Sequence, residues 1–358
     1  MNHAKYIANL LATALIVAVT GLCSCSGTAD EPAAAGDEKG IVLQFSLSAN
    51  VGDDTGSRAD ICEGDEPSVG WEDDMFISRT HILVYRHTDD YTGELIGSFS
   101  GSQLGNVGKL GSSVTVKLTG DYLQELRDAV VDVVVVANSD LPSDISTIEK
   151  VAGHVCRYSK PTGTTGIPMY GIRSGVYLGY LAGEGTEASP LRCGTINLLH
   201  AFAKIEVISA LPKGYSLDNV TISTLFDSFY AAPYNSDTKT HLANTTNITS
   251  PCLPSDTKPT VYSGDITDGV NRFYLPEAAA GATNFITLTV RDEENKALFT
   301  DRTIEIARYE DGKIAPGSWL EIIRNHIYRY EITLTPDAEI TVRVRVKKWG
   351  YHKIIFDM

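Results

Sequence analysis

Basic residues are scarce in this sequence, and they do not form the kind of cluster that nucleic acid requires. The chain has 30 lysine and arginine residues against 45 aspartate and glutamate residues, which gives a net charge of −15 and a pI near 4.9. Phosphate binding needs a basic face. The densest basic stretch, residues 343–348, alternates with valines at a period of two and predicts the solvated face of a strand. Nucleic acid is therefore excluded as an expected partner.

The sequence also lacks the short motifs of common catalytic and metal sites. Its eight histidines are scattered, and no H-E-x-x-H, G-x-S-x-G, P-loop or G-x-G-x-x-G pattern occurs in a suitable context. Acidic pairs such as Asp53-Asp54 and Asp73-Asp74 do not have EF-hand spacing and predict solvated turns. We expect no catalytic residue, cofactor or metal. A hydrolase that uses two carboxylates brought together by folding stays open as an alternative.

Cysteine is scarce beyond the N-terminal region. Cys62, Cys156, Cys193 and Cys252 are widely and irregularly spaced, without a C-x-x-C pair. This spacing predicts neither a disulfide framework nor a zinc site. A single disulfide, for example between Cys156 and Cys193, stays open.

The N-terminus carries the strongest local signal. Lys5 precedes an apolar run at 7–19 that is too short to span a bilayer as a permanent helix. Leu22-Cys23-Ser24-Cys25 follows, and it resembles a bacterial lipobox with a small residue just before the acceptor thiol of Cys25. We expect a signal peptide at 1–24, lipidation of Cys25 and a flexible tether at 25–39, because residues 26–39 are small, polar and acidic.

Short alternating or β-branched runs dominate the remainder and predict an all-β fold. The run at 41–47 alternates as expected for a strand with one buried face, and the run at 131–137 is apolar enough for a central strand covered on both faces. One short helix is expected near 121–128. Further strands are predicted at 81–86, 95–99 and 114–118.

A second set of predicted strands follows a loop-like region at 158–190, which is rich in Gly, Thr and Ser. We predict these strands at 195–200, 202–209, 220–226, 272–275, 285–291, 297–307, 326–334 and 340–349. Their number and spacing indicate two β-sandwich domains with a boundary near residue 200, namely 40–200 and 201–358. The polar stretch at 231–260 is expected to be a loop.

Several segments, taken in order, resemble the fimbrillin family, the subunits of type V pili of Gram-negative anaerobes. The segments are the lipobox at 22–25, the strand at 41–47 followed by Ser57-Arg58-Ala59, the run at 131–138 ending in VVVVAN, Ile167-Pro168-Met169-Tyr170-Gly171, LHAFAKIEV at 199–207, and RNHIYRY at 324–330 before the strand that closes at Trp349. The resemblance covers nearly the whole chain after the signal segment.

The resemblance implies two tandem transthyretin-like β-sandwich domains in a surface-exposed lipoprotein of the cell outer membrane. Its partners would be other pilus subunits, the membrane through the lipid on Cys25, and a host surface ligand. In the family, a protease cuts after an early arginine and removes the first strand, and Arg58 matches that position. A C-terminal segment of the next subunit then fills the groove. The matching donor-strand residues are Ile340, Val342, Val344, Val346, Ile354, Ile355 and Phe356.

We therefore expect a non-enzymatic structural subunit of a fimbrium that is assembled by proteolytic maturation and donor-strand exchange and that contributes to adhesion. A monomeric surface lipoprotein that binds glycan or a host protein through loops such as 231–260 is the main alternative. The shaft, tip or anchor role is left open.

Overall fold

The structure, a computed structural model, is almost entirely β within the residues it describes. These are residues 40–49, 71–105, 108–120, 123–235, 240–241, 248, 250–255, 258–267, 269–281, 283–310 and 313–349. The predicted all-β fold class is confirmed. Among the described residues, no helix has the length and apolar character needed to cross a membrane.

Strands up to residue 200 build the first half of the fold. They are β1 (Gly40–Ala49), β2 (Thr80–Arg86), β3 (Leu95–Ser100), β4 (Ser113–Thr119), β5 (Val130–Ala137), β6 (Val155–Arg157), β7 (Met169–Tyr177) and β8 (Leu191–His200). All except β6 join one sheet in the order β3-β2-β5-β7-β8-β1-β4. Since β7 and β8 pair only at Met169 with His200 and at Tyr170 with Leu199, the sheet folds over into two layers around an apolar core.

The alternation of the sequence explains this core. Ile41, Leu43, Phe45 and Leu47 of β1 face the alternate valines of β4 and β5. On the other face of β5, Val134 and Val136 belong to a second apolar cluster. The expectation that 131–137 forms a central strand covered on both faces is therefore confirmed.

Strands after residue 200 build the second half. They are β9 (Ala203–Ser209), β10 (Ser216–Phe226), β11 (Ser228–Tyr230), β12 (Tyr234–Asn235), β13 (Thr240–His241), β14 (Pro259–Ser263), β15 (Asp265–Thr267), β16 (Val270–Leu275), β17 (Phe285–Arg291), β18 (Ala297–Glu305), β19 (Ala307–Glu310), β20 (Lys313–Trp319), β21 (His326–Leu334) and β22 (Ile340–Lys348). A four-stranded sheet, β14-β10-β17-β18, packs on a five-stranded sheet, β15-β16-β9-β21-β22, around a third apolar cluster.

The two halves meet through the second apolar cluster. Phe202, Phe229, Tyr274 and Trp349 pack there against the outer face of β2 and β5. Strand β6 of the first half also pairs with β11 of the second, from Val155 with Tyr230 to Arg157 with Ser228. The domain bounds 40–200 and 201–358 stay a prediction.

Two local predictions need correction. Residues 158–190, expected to be a loop, contain the nine-residue strand β7, which is hidden in the sequence because a bulge with Gly175 at φ +69° interrupts its alternation. Two α-helices are described, α1 (Leu123–Leu126) inside the predicted helical region and α2 (Ile148–Ala152), which was not predicted. The side chain of Thr147 caps α2 by accepting from the backbone N–H of Lys150.

Candidate functional site

The first strand of the described chain lies inside a sheet, between two partners. It pairs antiparallel with β4, from Gly40 with Thr119 to Ser46 with Ser113, and parallel with β8. A strand in this position supplies hydrogen bonds on both edges, so its loss would leave two rows of backbone groups without partners. Residues 50–70 connect β1 to the described strands that follow it in the sequence.

The inward face of β1 is wholly apolar. Leu43, Phe45 and Leu47 have no exposed surface, and Ile41 is 3% exposed. Burying four such side chains stabilises the fold by about 6 to 12 kcal/mol, at roughly 1.5 to 3 kcal/mol each. Whole domains are stable by only about 5 to 15 kcal/mol. The groove that β1 fills therefore needs an occupant with the same alternation.

The outward face of β1 is neutral and partly covered, with Val42 5% exposed. The backbone N–H of Val42 donates to the carbonyl of Gly185 at 2.9 Å, and Lys117 bridges to Glu187 at 3.2 Å across the same face. No residue from Ile41 to Ser48 carries a charge. Hence β1 is held by apolar burial and backbone hydrogen bonds, which any strand of similar alternation can reproduce.

Strand β22 lies at the edge of the five-stranded sheet. All nine of its residues pair with β21. Val342 is buried, Val344 packs partly on the core, and Val346 is 40% exposed. Arg343 and Arg345 lie 3.8 and 3.6 Å from Glu331. The donor-strand candidates Ile340, Val342, Val344 and Val346 thus belong to a strand already engaged in its own subunit, while Ile354, Ile355 and Phe356 lie outside the described residues.

Trp349, the residue after β22, packs between the two halves of the fold. Its ring stacks on His200 with centroids 4.2 Å apart and lies 5.9 Å from Tyr274. Its backbone N–H donates to the carbonyl of Asn325 at 2.7 Å, and the ammonium of Lys204 lies 5.7 Å from the ring centroid. The strand predicted at 340–349 therefore ends one residue early, because its last residue turns into the apolar cluster.

A buried network of charges lies beside Trp349 and ties the halves together. Lys204 bridges Glu72 at 2.8 Å and Glu206 at 3.1 Å, and Arg329 bridges Glu206 at 2.8 Å. Burial would raise the pKa of Glu206, but the charges of Lys204 and Arg329 outweigh it and hold that pKa below its ordinary value. The hydroxyl of Tyr274 donates to Glu72 at 2.7 Å. Buried charges of this kind fix a geometry, since breaking one pair leaves its partner uncompensated.

This network was not predicted from the sequence. Its signal was present in β9, where Lys204 and Glu206 interrupt an otherwise apolar strand at alternate positions. Charged residues on one face of a buried strand require partners, and those partners come from β16, β21 and the segment that contains Glu72.

One Ser-His-Asp grouping occurs in the first half, but its geometry does not suit nucleophilic catalysis. Oδ1 of Asp132 lies 2.8 Å from Nδ1 of His87, and it accepts from the hydroxyl of Ser174 at 2.5 Å and from the N–H of Gly175 at 2.9 Å. A catalytic serine would donate to the histidine, whereas Ser174 donates to the carboxylate. The grouping fixes the bulge in β7. Within the described residues, no cluster of three or more His, Cys, Asp or Glu side chains is placed to hold a metal ion.

The cysteines whose positions are described are buried free thiols, namely Cys156, Cys193 and Cys252. Burial raises the pKa of the Cys193 thiol to about 12, so that thiol is unreactive at neutral pH. The open alternative of a disulfide between Cys156 and Cys193 is not realised in the structure. Cys62, the lipidation candidate Cys25 and the cleavage candidate Arg58 lie outside the described residues.

Hydrogen bonds from buried residues hold the start of the region at 231–260, which was predicted to be a polar loop. The guanidinium of Arg324, which is 1% exposed, bridges Glu277 at 2.7 Å and donates to the carbonyls of Tyr230 and Ala231. The backbone N–H of Cys252 donates to the same Glu277 carboxylate. The strands β12 and β13 pair within this region.

Together these features define a class of protein: an all-β chain of packed sheets whose first described strand lies inside a sheet as a neutral, apolar insert. Two solved structures that share this fold are a fimbrial protein and a candidate cell adhesion protein. The tip fimbrial protein Mfa3 from Porphyromonas gingivalis, with a C-terminal truncation, has a TM-score of 0.54 and 18% identity over 87% of this chain and 100% of its own. A candidate cell adhesion protein from Parabacteroides distasonis has a TM-score of 0.50 and 14% identity over 87% and 98% of the two chains.

These similarities confirm the resemblance to fimbrillins at the level of the fold. A fimbrilin from Porphyromonas gingivalis is also similar, with a TM-score of 0.46 and 15% identity over 86% of this chain and 97% of its own. No family model and no curated protein sequence matches the chain.

Proposed function

We propose that the protein is a structural, non-enzymatic subunit of a cell-surface fimbrium that contributes to adhesion. One observation carries the proposal: β1 is a neutral strand with four buried apolar side chains that lies inside a sheet, between β4 and β8. The fold shared with fimbrial and cell adhesion proteins supports the same function.

The proposed mechanism begins with export and lipidation of Cys25, which holds the subunit at the surface of the outer membrane. Proteolysis after Arg58 then separates β1 from the body of the subunit. Departure of β1 exposes the edges of β4 and β8 and the groove between them. An extended segment of the next subunit enters the groove and restores the hydrogen bonds and the apolar burial.

The donor in this mechanism is the segment after Trp349. Strand β22 is paired along its whole length with β21, and Trp349 is 3% exposed in the cluster between the halves. Releasing β22 would expose this tryptophan and Val342. Beyond Trp349, Ile354 and Phe356 are two positions apart, with Ile355 between them, and would supply alternate apolar side chains without dismantling the second half. We therefore narrow the donor from 340–358 to residues beyond Trp349.

The proposed departure of β1 can be tested with a disulfide that holds β1 in its sheet. Gln44 and Thr115 lie directly opposite each other on β1 and β4, at a spacing that suits a disulfide. The chain from Ser26 onward, with Cys62→Ser, Gln44→Cys and Thr115→Cys, is treated with an arginine-specific protease in oxidised and in reduced form. We expect SDS-resistant multimers only from the reduced form.

A matched lock that leaves β1 free controls for the disulfide itself. His81→Cys with Ser100→Cys joins β2 to β3 at another paired position, and we expect multimers from it in both redox states. A ladder of multimers from the oxidised Gln44–Thr115 lock would reject the departure of β1 as the route of assembly. Absence of multimers from every cleaved sample would reject strand exchange and favour a monomeric binding lipoprotein.

The role of the segment beyond Trp349 as the donor is tested separately. A chain ending at Gly350 keeps β22 and Trp349 but lacks Ile354, Ile355 and Phe356. We expect this variant to accept a strand from intact subunits and to cap multimers without extending them. Unchanged polymerisation of the shortened chain alone would show that the donor lies elsewhere.

A further inference from the structure

The outer face of the four-stranded sheet β14-β10-β17-β18 carries a row of hydroxyl side chains. Each strand contributes one of them, and in the order of the strands they are Ser263, Thr221, Thr287 and Thr303. Residues directly opposite each other in antiparallel pairs project from the same face of a sheet. The alternate residues of β17, Ile286 and Leu288, are buried in the apolar core on the inner face. This hydroxyl row therefore lies on the face turned away from that core.

The hydroxyl row is regularly spaced, and its hydrogen-bonding capacity is unused within the protein. Neighbouring strands lie about 4.8 Å apart, so the row is about 14 Å long. Ser263 and Thr303 are exposed, and Thr221 and Thr287 are half-buried. In the part of the chain that the structure describes, none of the four side-chain hydroxyls has a hydrogen-bond partner. Since each hydroxyl can donate one hydrogen bond and accept two, the row can bind a ligand that carries hydroxyl groups along its length.

A second row, parallel to the first, is mainly apolar and aromatic. It consists of residues that again lie directly opposite one another, namely Val261, Ser223, Phe285 and Glu305. Val261 is 64% exposed. Beyond Glu305 lies Trp319, which is 43% exposed and donates its indole N–H to the Glu305 carboxylate at 2.7 Å. The same face thus offers hydroxyl groups in one row and apolar surface in the next.

The two rows carry a single charged residue, Glu305, although the chain has a net charge of −15. Strand β14 has no charged residue, and Asp218 of β10 bridges Arg291 of β17 at 2.8 Å. On β18, Asp301 is followed by Arg302, which has the opposite charge. A strongly charged partner finds no complementary charge on this face. Charge complementarity therefore favours an uncharged ligand.

We propose that this face binds an extended chain of a neutral polysaccharide. Sugar rings are uncharged, their hydroxyl groups donate and accept hydrogen bonds, and their C–H faces are apolar. The hydroxyl row would bind the edge of the sugar chain, and the rings of Phe285 and Trp319 would pack against its apolar faces. A peptide strand matches this face less well, because its backbone groups pair with the edge of a sheet and not with side chains on a face.

The inference names a class of ligand for the adhesive role in the proposed function, and it rests on that function for its strength. A row about 14 Å long gives a weak contact for one subunit. Many copies along a fimbrium would raise the avidity by multivalency. Binding by a single subunit requires neither cleavage nor strand exchange. Failure of this inference and failure of assembly are therefore distinguishable, because the test below uses the uncleaved chain.

Electrophoresis through native gels that contain a polysaccharide measures Kd from the retardation of the uncleaved chain from Ser26 onward. The neutral probes are dextran, hydroxyethyl cellulose, mannan and galactomannan, and alginate is the acidic probe. We expect at least one neutral probe to retard the protein and alginate to have no effect. Absence of retardation by all four neutral probes, or equal retardation by alginate, would overturn the proposal.

The hydroxyl row is tested with Thr287→Val and Thr303→Val combined, which removes two hydroxyls and keeps β-branched side chains in the strands. We expect Kd to rise at least about fivefold, since each hydrogen bond contributes modestly. Thr115→Val with Thr119→Val removes two exposed hydroxyls from β4 and should leave Kd unchanged. Thermal melting checks that both variants fold. Equal changes of Kd in the two variants would contradict a role for the hydroxyl row.

The aromatic part of the face is tested with Trp319→Ala, which should also raise Kd at least about fivefold. Trp319→Phe keeps a ring and loses the hydrogen bond to Glu305, so we expect it to retain most of the binding. Tyr180→Ala, at an exposed aromatic position in the first half, is the control and should have no effect. Sedimentation identifies a different occupant: a dimer of the parent that Trp319→Ala abolishes, without retardation by any neutral probe, would assign the face to a second copy and overturn the proposal.

Discussion

Strand β1 of the first half and strand β9 of the second half have the same kind of position in their sheets, but different interactions hold them there. In the first half, β1 lies between antiparallel β4 and parallel β8, and in the second, β9 lies between antiparallel β16 and parallel β21. Strand β1 carries no charge from Ile41 to Ser48, whereas β9 buries Lys204 and Glu206 in a network of ions. A neutral strand can be exchanged for another of equal alternation, whereas β9 is specified by its charged partners.

Strands β9 and β1 also differ in how the chain connects them to the rest of the fold. Strand β9 continues directly from β8 through His200, Ala201 and Phe202, all of which are buried. Residues 50–70 connect the C-terminal end of β1 to the rest of the described chain. In the proposed exchange, one backbone cut within these residues would separate β1 from the strands that follow it.

The largest expected effect is the loss of charge from β9. Lys204→Ala leaves Glu72 and Glu206 buried without their shared cation, and we expect the free energy of unfolding to fall by about 3 to 5 kcal/mol. Urea denaturation measures the change. Lys213→Ala, at an exposed position, should stay within about 0.5 kcal/mol of the parent. A loss below about 1 kcal/mol for Lys204→Ala would contradict the distinction between the two strands.

Truncation of the apolar face of β1 comes next. Leu43 has no exposed surface, and Leu43→Ala should cost the uncleaved chain about 2 to 5 kcal/mol in the free energy of unfolding. Ser46→Ala, on the exposed face, is the control. If β1 is discarded on assembly, multimers made from Leu43→Ala subunits should dissociate at the same temperature as those of the parent. Weakened multimers would show that β1 stays in the filament.

Much of this contrast could be predicted from the sequence, because alternation over seven residues determines which face of a strand is buried. The runs at 285–291 and 326–334 became β17 and β21 with the predicted bounds. Strand β7 could not be predicted in the same way. Its bulge at Gly175 and its exposed residues after Ile172 break the period that identifies a strand.

The charged network was beyond sequence reasoning for a different physical reason. Lys204 and Glu72 are 132 positions apart, and their 2.8 Å contact depends on how the halves pack. Likewise, Trp349 was read as the end of a strand, although its ring fills the cluster between the halves. Local patterns determine faces, whereas packing between sheets determines partners.

A smaller loss of stability is expected from substitution of Asp132, a buried charged residue in the first half. Asp132 fixes the bulge of β7 through Ser174, Gly175 and His87. Asp132→Ala leaves the N–H of Gly175 without that acceptor, and we expect a loss of about 1 to 3 kcal/mol in the free energy of unfolding. Ser174→Ala, which keeps the carboxylate, should cost less. Equal losses for both would assign the stabilisation to the hydroxyl and not to the carboxylate.

The smallest effect concerns acid, and it involves one histidine in each half. Burial lowers the pKa of His326 in the second half, despite its contact with the carbonyl of Arg324. A lowered pKa in the folded state means that the unfolded chain binds the proton first. The contribution of His326 is therefore complete above pH 6.5 and is lost as pH falls through the folded pKa, with a slope of at most about 1.4 kcal/mol per pH unit. The free energy of unfolding at pH 7.0 and about pH 5.5, measured for the parent and for His326→Gln, should show a smaller decrease in the variant.

His81→Gln provides the same comparison for the first half, because burial lowers the pKa of His81 while Asp140 opposes the shift. Burial lowers the pKa of both histidines, so the stability of His81→Gln should, like that of His326→Gln, decrease less than that of the parent between pH 7.0 and about pH 5.5. Glu206 does not interfere in this range, since its lowered pKa moves its own loss of stability below the ordinary carboxylate range. Identical pH dependence of the parent and both variants would assign the acid sensitivity to groups other than these two histidines.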